Sequence, residues 1–153
     1  MMKKTNPNPL KFGVYIAGSM HGRLGREIIE ERDKAKLVCR LNNLTYYDPA
    51  EHERVMANKI SNLKPDLPLM RRYVSKDDAA LDRSKVLLVL TGDKSSAGTG
   101  WEMARMHYRN GRPIVLVAPK MYHRLLTNFT TVKAAKVCET VEQAIEWIKG
   151  RHV

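Results

Sequence analysis

Two cysteines in 153 residues, Cys39 and Cys138, are too few for a disulfide framework or a zinc cluster. They predict a chain that works reduced, in the cytoplasm. No apolar run approaches the roughly 20 residues that span a bilayer, so no membrane segment is expected. The basic start, with Lys3, Lys4 and Lys11, leads into no apolar stretch with a cleavage site, which counts against a secretory leader. Aromatics are sparse and form no stacking platform. With neither a helix-turn-helix nor a zinc module in view, nucleic acid is disfavoured as the partner. Acids are scarce as well: 16 stand against 27 Lys and Arg, a formal net charge of +11. That surplus points to an anionic partner, be it nucleotide phosphate, nucleic acid or anionic lipid. The basic residues are scattered, so a generic basic surface fits equally well.

What is present reads as one globular domain. Apolar residues make up 43% and charged residues 28%, and a chain of this length buries about two-thirds of its unfolded surface. Residues 1–11, with Asn6-Pro7-Asn8-Pro9, read as a disordered lead-in to a domain over 12–153. Phe12 to Ala17 is a short apolar run closed by glycine, a buried strand. Arg26 to Leu41 carries apolar residues at 28, 29, 37, 38 and 41, the spacing of an amphipathic helix. Leu44 to Tyr47 is a second strand, stopped by Asp48-Pro49. Ala50 to Pro68 reads as a short helix plus a mobile loop.

Leu69 to Ser84 reads as a helix, with Met70, Val74, Ala80 and Leu81 on one face. Val86 to Leu90 is uniformly apolar, as a central parallel strand is. After a polar loop, Thr99 to Asn110 is helical and closed by Gly111 as a C-cap. Pro113 to Ala118 is a strand, Lys120 to Asn128 a short helix, Val132 to Cys138 an edge strand, and Thr140 to Gly150 a last helix with Ala144, Ile145 and Ile148 inward. Strands alternating with helices predict an α/β fold: a doubly wound parallel sheet of about five strands, flavodoxin-like or Rossmann-like.

Such sheets bind ligands beyond the carboxyl ends of their strands. The loop after the first strand, Gly18 to Gly25, matches neither the P-loop nor the dinucleotide glycine pattern. It suits a phosphate held by backbone N–H groups and Ser19, with His21 or Arg23 adding charge; it equally suits a plain tight turn. In the loop after the third strand, Glu102 is placed in the first turn of a helix, where the dipole favours a carboxylate fit to act as nucleophile or base. Thr99-Gly-Trp-Glu102 is also a capping box, which gives Glu102 a structural role instead. Asp78 reads as part of a solvated face, and Glu51-His52-Glu53 as surface residues without metal-ligand spacing. His107 and His123 are isolated and read as surface or packing residues.

Taken in order, these segments resemble the nucleoside 2-deoxyribosyltransferase superfamily over about residues 12 to 128. The matching pieces are Tyr15-Ile-Ala-Gly18-Ser19, Asp48-Pro49-Ala50-Glu51, Asp77 ahead of the third strand, Ser96-Ala-Gly98-Thr99-Gly100-Trp101-Glu102, and Gly111-Arg-Pro113-Ile. Transferases of the family tend to carry Asp six residues before the glutamate, where this chain has Ser96. That makes it most similar to the 2′-deoxynucleoside 5′-monophosphate N-glycosidases. Aspartate there would repel a dianionic phosphate, and serine would not. The hydrolases usually carry arginine two residues after the loop serine; here His21 stands there, with Arg23 beyond.

The resemblance implies a retaining cleavage of the base–sugar bond of a (deoxy)nucleoside 5′-monophosphate, without metal or cofactor. Glu102 would attack C1′, Asp77 or a residue near it would assist departure of the base, and Tyr15 would orient Glu102. Gly18, Ser19, His21, Gly22, Arg23, Ser96, Gly98, Thr127 and Asn128 would hold the substrate. Arg124 to Asn128 resembles the piece lent by a neighbouring subunit, which implies a homodimer or higher homo-oligomer with a shared site. The alternatives are base exchange between nucleosides, a non-catalytic nucleotide-binding module, and a nucleic-acid-binding protein resting on the charge alone.

Overall fold

The computed structural model describes residues 9–18, 25–51, 67–91, 97–118 and 133–152. Along the chain run strand β1 (Phe12–Gly18), helix α1 (Gly25–Leu41), strand β2 (Tyr46–Tyr47), helix α2 (Leu67–Asp82), strand β3 (Ser84–Leu90), helix α3 (Ala97–Ala104), a π-helical turn (Arg105–Asn110), strand β4 (Ile114–Val117), strand β5 (Lys136–Cys138) and helix α4 (Val141–His152). The strands form one sheet in the order β2-β1-β3-β4-β5, and every pairing is parallel. The doubly wound five-stranded sheet read from the sequence is therefore what forms.

The continuous apolar runs have a direct cause: both faces of the sheet are covered. On one face, Val14 and Ile16 of β1, Val86, Leu88 and Leu90 of β3, and Val115 and Val117 of β4 pack under α1 and α4. On the other, Tyr15, Ala17, Leu87, Val89, Ile114 and Leu116 pack under α2, α3 and the π-helical turn. Ala144, Ile145 and Ile148 of α4 are buried, as their spacing predicts. Gly111 ends the π-helical turn at φ 61°, a left-handed cap whose N–H bonds Met106 O.

Several expectations need correction. The second strand is only Tyr46–Tyr47 rather than Leu44 to Tyr47, and the edge strand is Lys136–Cys138 rather than Val132 to Cys138. The helix expected over Thr99 to Asn110 begins at Ala97 and turns π-helical from Arg105. Met70 and Val74 do not share the buried face of α2 with Ala80 and Leu81; both are exposed. On α1, Ile29, Leu37 and Leu41 are exposed, while the inward face is Arg32, Ala35, Lys36 and Cys39. That face has helical spacing, but two of its four members are charged. The lead-in is already tied down ahead of Phe12: Lys11 N–H bonds Arg83 O at 2.8 Å, and Arg83 Nε donates to Pro9 O at 3.1 Å. Residues 1–8, most of the Ala50 to Pro68 segment, most of both glycine-rich loops and the Lys120 to Asn128 helix lie outside the described residues.

Where β1 ends, its backbone comes close to β3. Gly18 has φ 152°, and a Cβ there would sit 2.5 Å from Leu90 O. Gly18→Ala is expected to cost about 3 kcal/mol, combining a strained dihedral with a clash against backbone that cannot turn aside. A urea-unfolding midpoint equal to wild type would contradict this.

Candidate active site

The order of the sheet reverses direction around β1, which has β2 on one side and β3 on the other. That is the switch point of an open α/β sheet, where a crevice opens beyond the strand ends. Tyr15, in β1, points into the α2/α3 layer and is fully buried. Its Oη makes no hydrogen bond of full geometry among the described residues. Burial holds this phenol far above its ordinary range. The Glu102 carboxylate adds to the shift next, and the charges of Asp77 and Tyr47 add to it further. The phenol is therefore neutral at any working pH and can only donate to an anion.

Beside it stands Tyr47. The parallel register makes Tyr15 and Tyr47 direct partners, so both rings project to the same face and stack at 5.4 Å and 29°. Phe12 leans on Tyr47 at 5.3 Å. Tyr47 Oη donates to Asp77 Oδ1 at 2.8 Å. Burial and this carboxylate raise its pKa strongly too, with smaller contributions from Glu51 and Asp48. Two carboxylates, Asp77 from α2 and Glu102 from α3, thus meet two neutral phenols. Both acids are half-buried.

The helices carrying these acids are locked together by their neighbours. Trp101 Nε1 donates to Asp78 Oδ1 at 3.1 Å. Arg105 grips Asp82 with two bonds, Nε to Oδ1 at 2.8 Å and Nη2 to Oδ2 at 2.7 Å. This paired geometry is the strong form of an ion pair. Asp78 is therefore not a purely solvated residue; it holds the residue that precedes Glu102. Burial works against the Asp82 charge, but hydrogen bonds from Arg105 and Asn110 and the charges of Arg105 and Arg109 hold its carboxyl below the ordinary range. The capping box is not formed: α3 starts at Ala97, so Thr99 and Glu102 both lie inside the helix, with Glu102 past its first turn.

A second network lies under the end of β1. Arg32 Nη1 bonds Asp48 Oδ1 at 2.6 Å and Ile16 O at 3.2 Å, and Nη2 bonds Gly18 O at 3.1 Å. Lys36 Nζ reaches Asp48 Oδ2 at 2.9 Å and Glu51 Oε1 at 3.2 Å. Burial disfavours the Lys36 ammonium, yet the bond and charge of Asp48, then those of Glu51, keep it above the usual lysine value. The exposed Glu51 is thus a network member as well as a surface residue.

Of the residues singled out from the sequence, Tyr15, Asp77 and Glu102 come together, and Gly18 lies at the mouth of the same strand end. Gly98 is exposed in the first turn of α3. Ser19, His21, Gly22, Arg23, Ser96, Thr127 and Asn128, like His52 and His123, lie outside the described residues. His107 is half-buried and meets Tyr108 edge-on at 4.7 Å. Sequence reading missed Tyr47, Arg32 and Lys36. The signal for Tyr47 was its alignment with Tyr15 in adjacent strands; the signal for Arg32 and Lys36 was their helical spacing with Ala35 and Cys39. A surface groove of about 700 Å³ between β5 and α4, lined by Lys136, Trp147 and Arg151 among others, contains none of these residues.

Comparison with known proteins bears on the fold. No protein-family model matches the chain. Uncharacterized protein YtoQ of Bacillus subtilis strain 168 is 29% identical over 151 residues, taking in 90% of this chain and 94% of that protein. The structure of a 2-deoxyribosyltransferase from Bacillus psychrosaccharolyticus superposes with a TM-score of 0.68 at 18% identity, over 86% of this chain and 89% of that one. A conserved protein from Enterococcus faecalis V583 superposes with a TM-score of 0.65, also at 18% identity, over 92% of this chain and 98% of that one. The chain thus shares the α/β fold of its deoxyribosyltransferase neighbour. Identity at this level carries the architecture alone.

Proposed function

We propose that the protein is an N-glycosidase that cleaves the base–sugar bond of a (deoxy)nucleoside 5′-monophosphate through a glycosyl-glutamate intermediate. The observation that carries this reading is the convergence of Glu102 and Asp77 on the buried Tyr15 phenol at the switch point of the sheet. A Glu102 oxygen attacks C1′ as the bond to the base nitrogen breaks; Asp77 helps the base to depart; water then opens the glycosyl ester. Tyr15, locked neutral, steers the Glu102 carboxylate without competing for the sugar. Ser19, His21, Arg23, Ser96 and the net charge of +11 suit a 5′-phosphate. Thr127 and Asn128 of a second copy complete the site in this reading.

Base exchange between nucleosides is the second reading, favoured by the shared fold with a 2-deoxyribosyltransferase. It uses the same intermediate, with a second base in place of water. One experiment separates the two. The purified protein is incubated with a panel of nucleosides and their monophosphates, with and without an added free base, and the products are separated by chromatography. Free base and sugar phosphate from monophosphates alone are expected. New nucleosides only when a second base is present would favour exchange, and binding without turnover on any substrate would overturn both.

A further inference from the structure

Resting on the N-glycosidase reading, we propose that Tyr47 is a positioning residue that fixes the Asp77 carboxylate for departure of the base. Three observations define its geometry. Its ring stacks on Tyr15 at 5.4 Å and leans on Phe12 at 5.3 Å. Its backbone is set by the pairing of Tyr15 with Tyr47 in the parallel ladder. Its hydroxyl donates to Asp77 Oδ1 at 2.8 Å, across an interval of 30 residues.

A terminal carboxylate torsion is broad, with no strongly preferred angle of its own. Asp77 sits on α2, near where the helix runs out to β3, and is half-buried. A donor held by two aromatic neighbours gives that torsion one setting and commits Oδ1 to it. The shape of the site follows. Two strand-borne phenols stand side by side against two helix-borne acids: Tyr15 feels Glu102 first and Asp77 second, and Tyr47 donates to Asp77. The pair β1–β2 thereby becomes a ruler that sets both carboxylates relative to each other, although the acids come from different helices. Burial first, and then the Asp77 bond and charge, keep Tyr47 protonated and donating, as burial and Glu102 do for Tyr15.

Tyr47→Phe keeps the ring and its packing and removes only the donor. In a crystal structure of this variant, Asp77 is expected in more than one rotamer. In kinetics, kcat is expected to fall about tenfold with KM within about twofold, since orientation of a reacting group acts on the chemical step more than on binding. A thermal midpoint within about 3 °C of wild type shows that the loss is not unfolding. A single, unmoved Asp77 rotamer overturns the proposal whatever the activity. So does an unchanged kcat, or a loss that appears in KM alone. If instead the wild type releases no base, the glycosidase reading fails, and the Asp77 rotamer still decides whether Tyr47 positions that side chain.

Discussion

Glu102→Gln is expected to lower base release by about 10³-fold or more while moving the thermal midpoint by no more than about 2 °C. Glutamine has nearly the volume of glutamate, and its amide oxygen still faces the Tyr15 phenol, so packing in the α2/α3 layer is kept. What disappears is the anionic oxygen that the proposed mechanism uses to form the bond to C1′. Tyr15 stays neutral in the variant, because burial is the first cause of its shift and the charge of Glu102 only the second. The phenol therefore does not take over as nucleophile. Initial rates by chromatography give the size of the loss. Mass spectrometry of the wild type, quenched during turnover, adds the position: one glycosyl unit on the peptide that contains Glu102. A variant keeping a tenth of the wild-type rate, or a glycosyl unit on another residue, would remove Glu102 from its assigned role.

How legible this arrangement was depends on which residues one asks about. Val86 to Leu90 and Phe12 to Ala17 announce buried strands because both of their faces are covered, and alternation never enters. Asp77 and Glu102 were legible through ordered motifs, and the fold brings both to Tyr15. Tyr47 was not, since it lies in a strand of two residues whose meaning comes from its neighbour across the ladder. The capping-box reading of Thr99 and Glu102 failed because α3 begins two residues before Thr99, at Ala97.

Helix α1 forms where expected, but its inward face was misread for a more general reason. Apolar periodicity assumes that charge faces water, but here Arg32 and Lys36 face inward and Leu37 and Leu41 face outward. The cause is a partner that a helix-by-helix reading cannot see, Asp48, supplied by the chain just after β2. A motif that resembled one piece of the family pattern therefore has a structural meaning: its aspartate neutralises the inward face of another element.

That meaning yields the largest stability effect expected in the molecule. The Asp48 side chain is 0% exposed, with Arg32 at 3% and Lys36 at 8%. Asp48→Ala strands the Arg32 guanidinium in a nearly dry site and leaves Lys36 only the exposed acids Glu51 and Asp33, in a chain that already carries +11. Stranding a buried charge in this way costs about 3–5 kcal/mol, which lowers the thermal midpoint of a domain this size by about 10 °C. Added salt recovers little, because screening acts on exposed charges. Converting the whole triad to apolar residues, Arg32→Met with Lys36→Met and Asp48→Leu, removes the stranded charges and is expected to recover part of the loss. Recovery stays incomplete, because Arg32 also satisfies Ile16 O and Gly18 O at the end of β1. An unpaired buried carbonyl costs about 1–3 kcal/mol. Thermal unfolding followed by circular dichroism separates these terms. A midpoint for Asp48→Ala within 2 °C of wild type would show that the cations find water or another acid on their own. Full recovery in the triple variant would show that the two strand-end carbonyls never depended on Arg32.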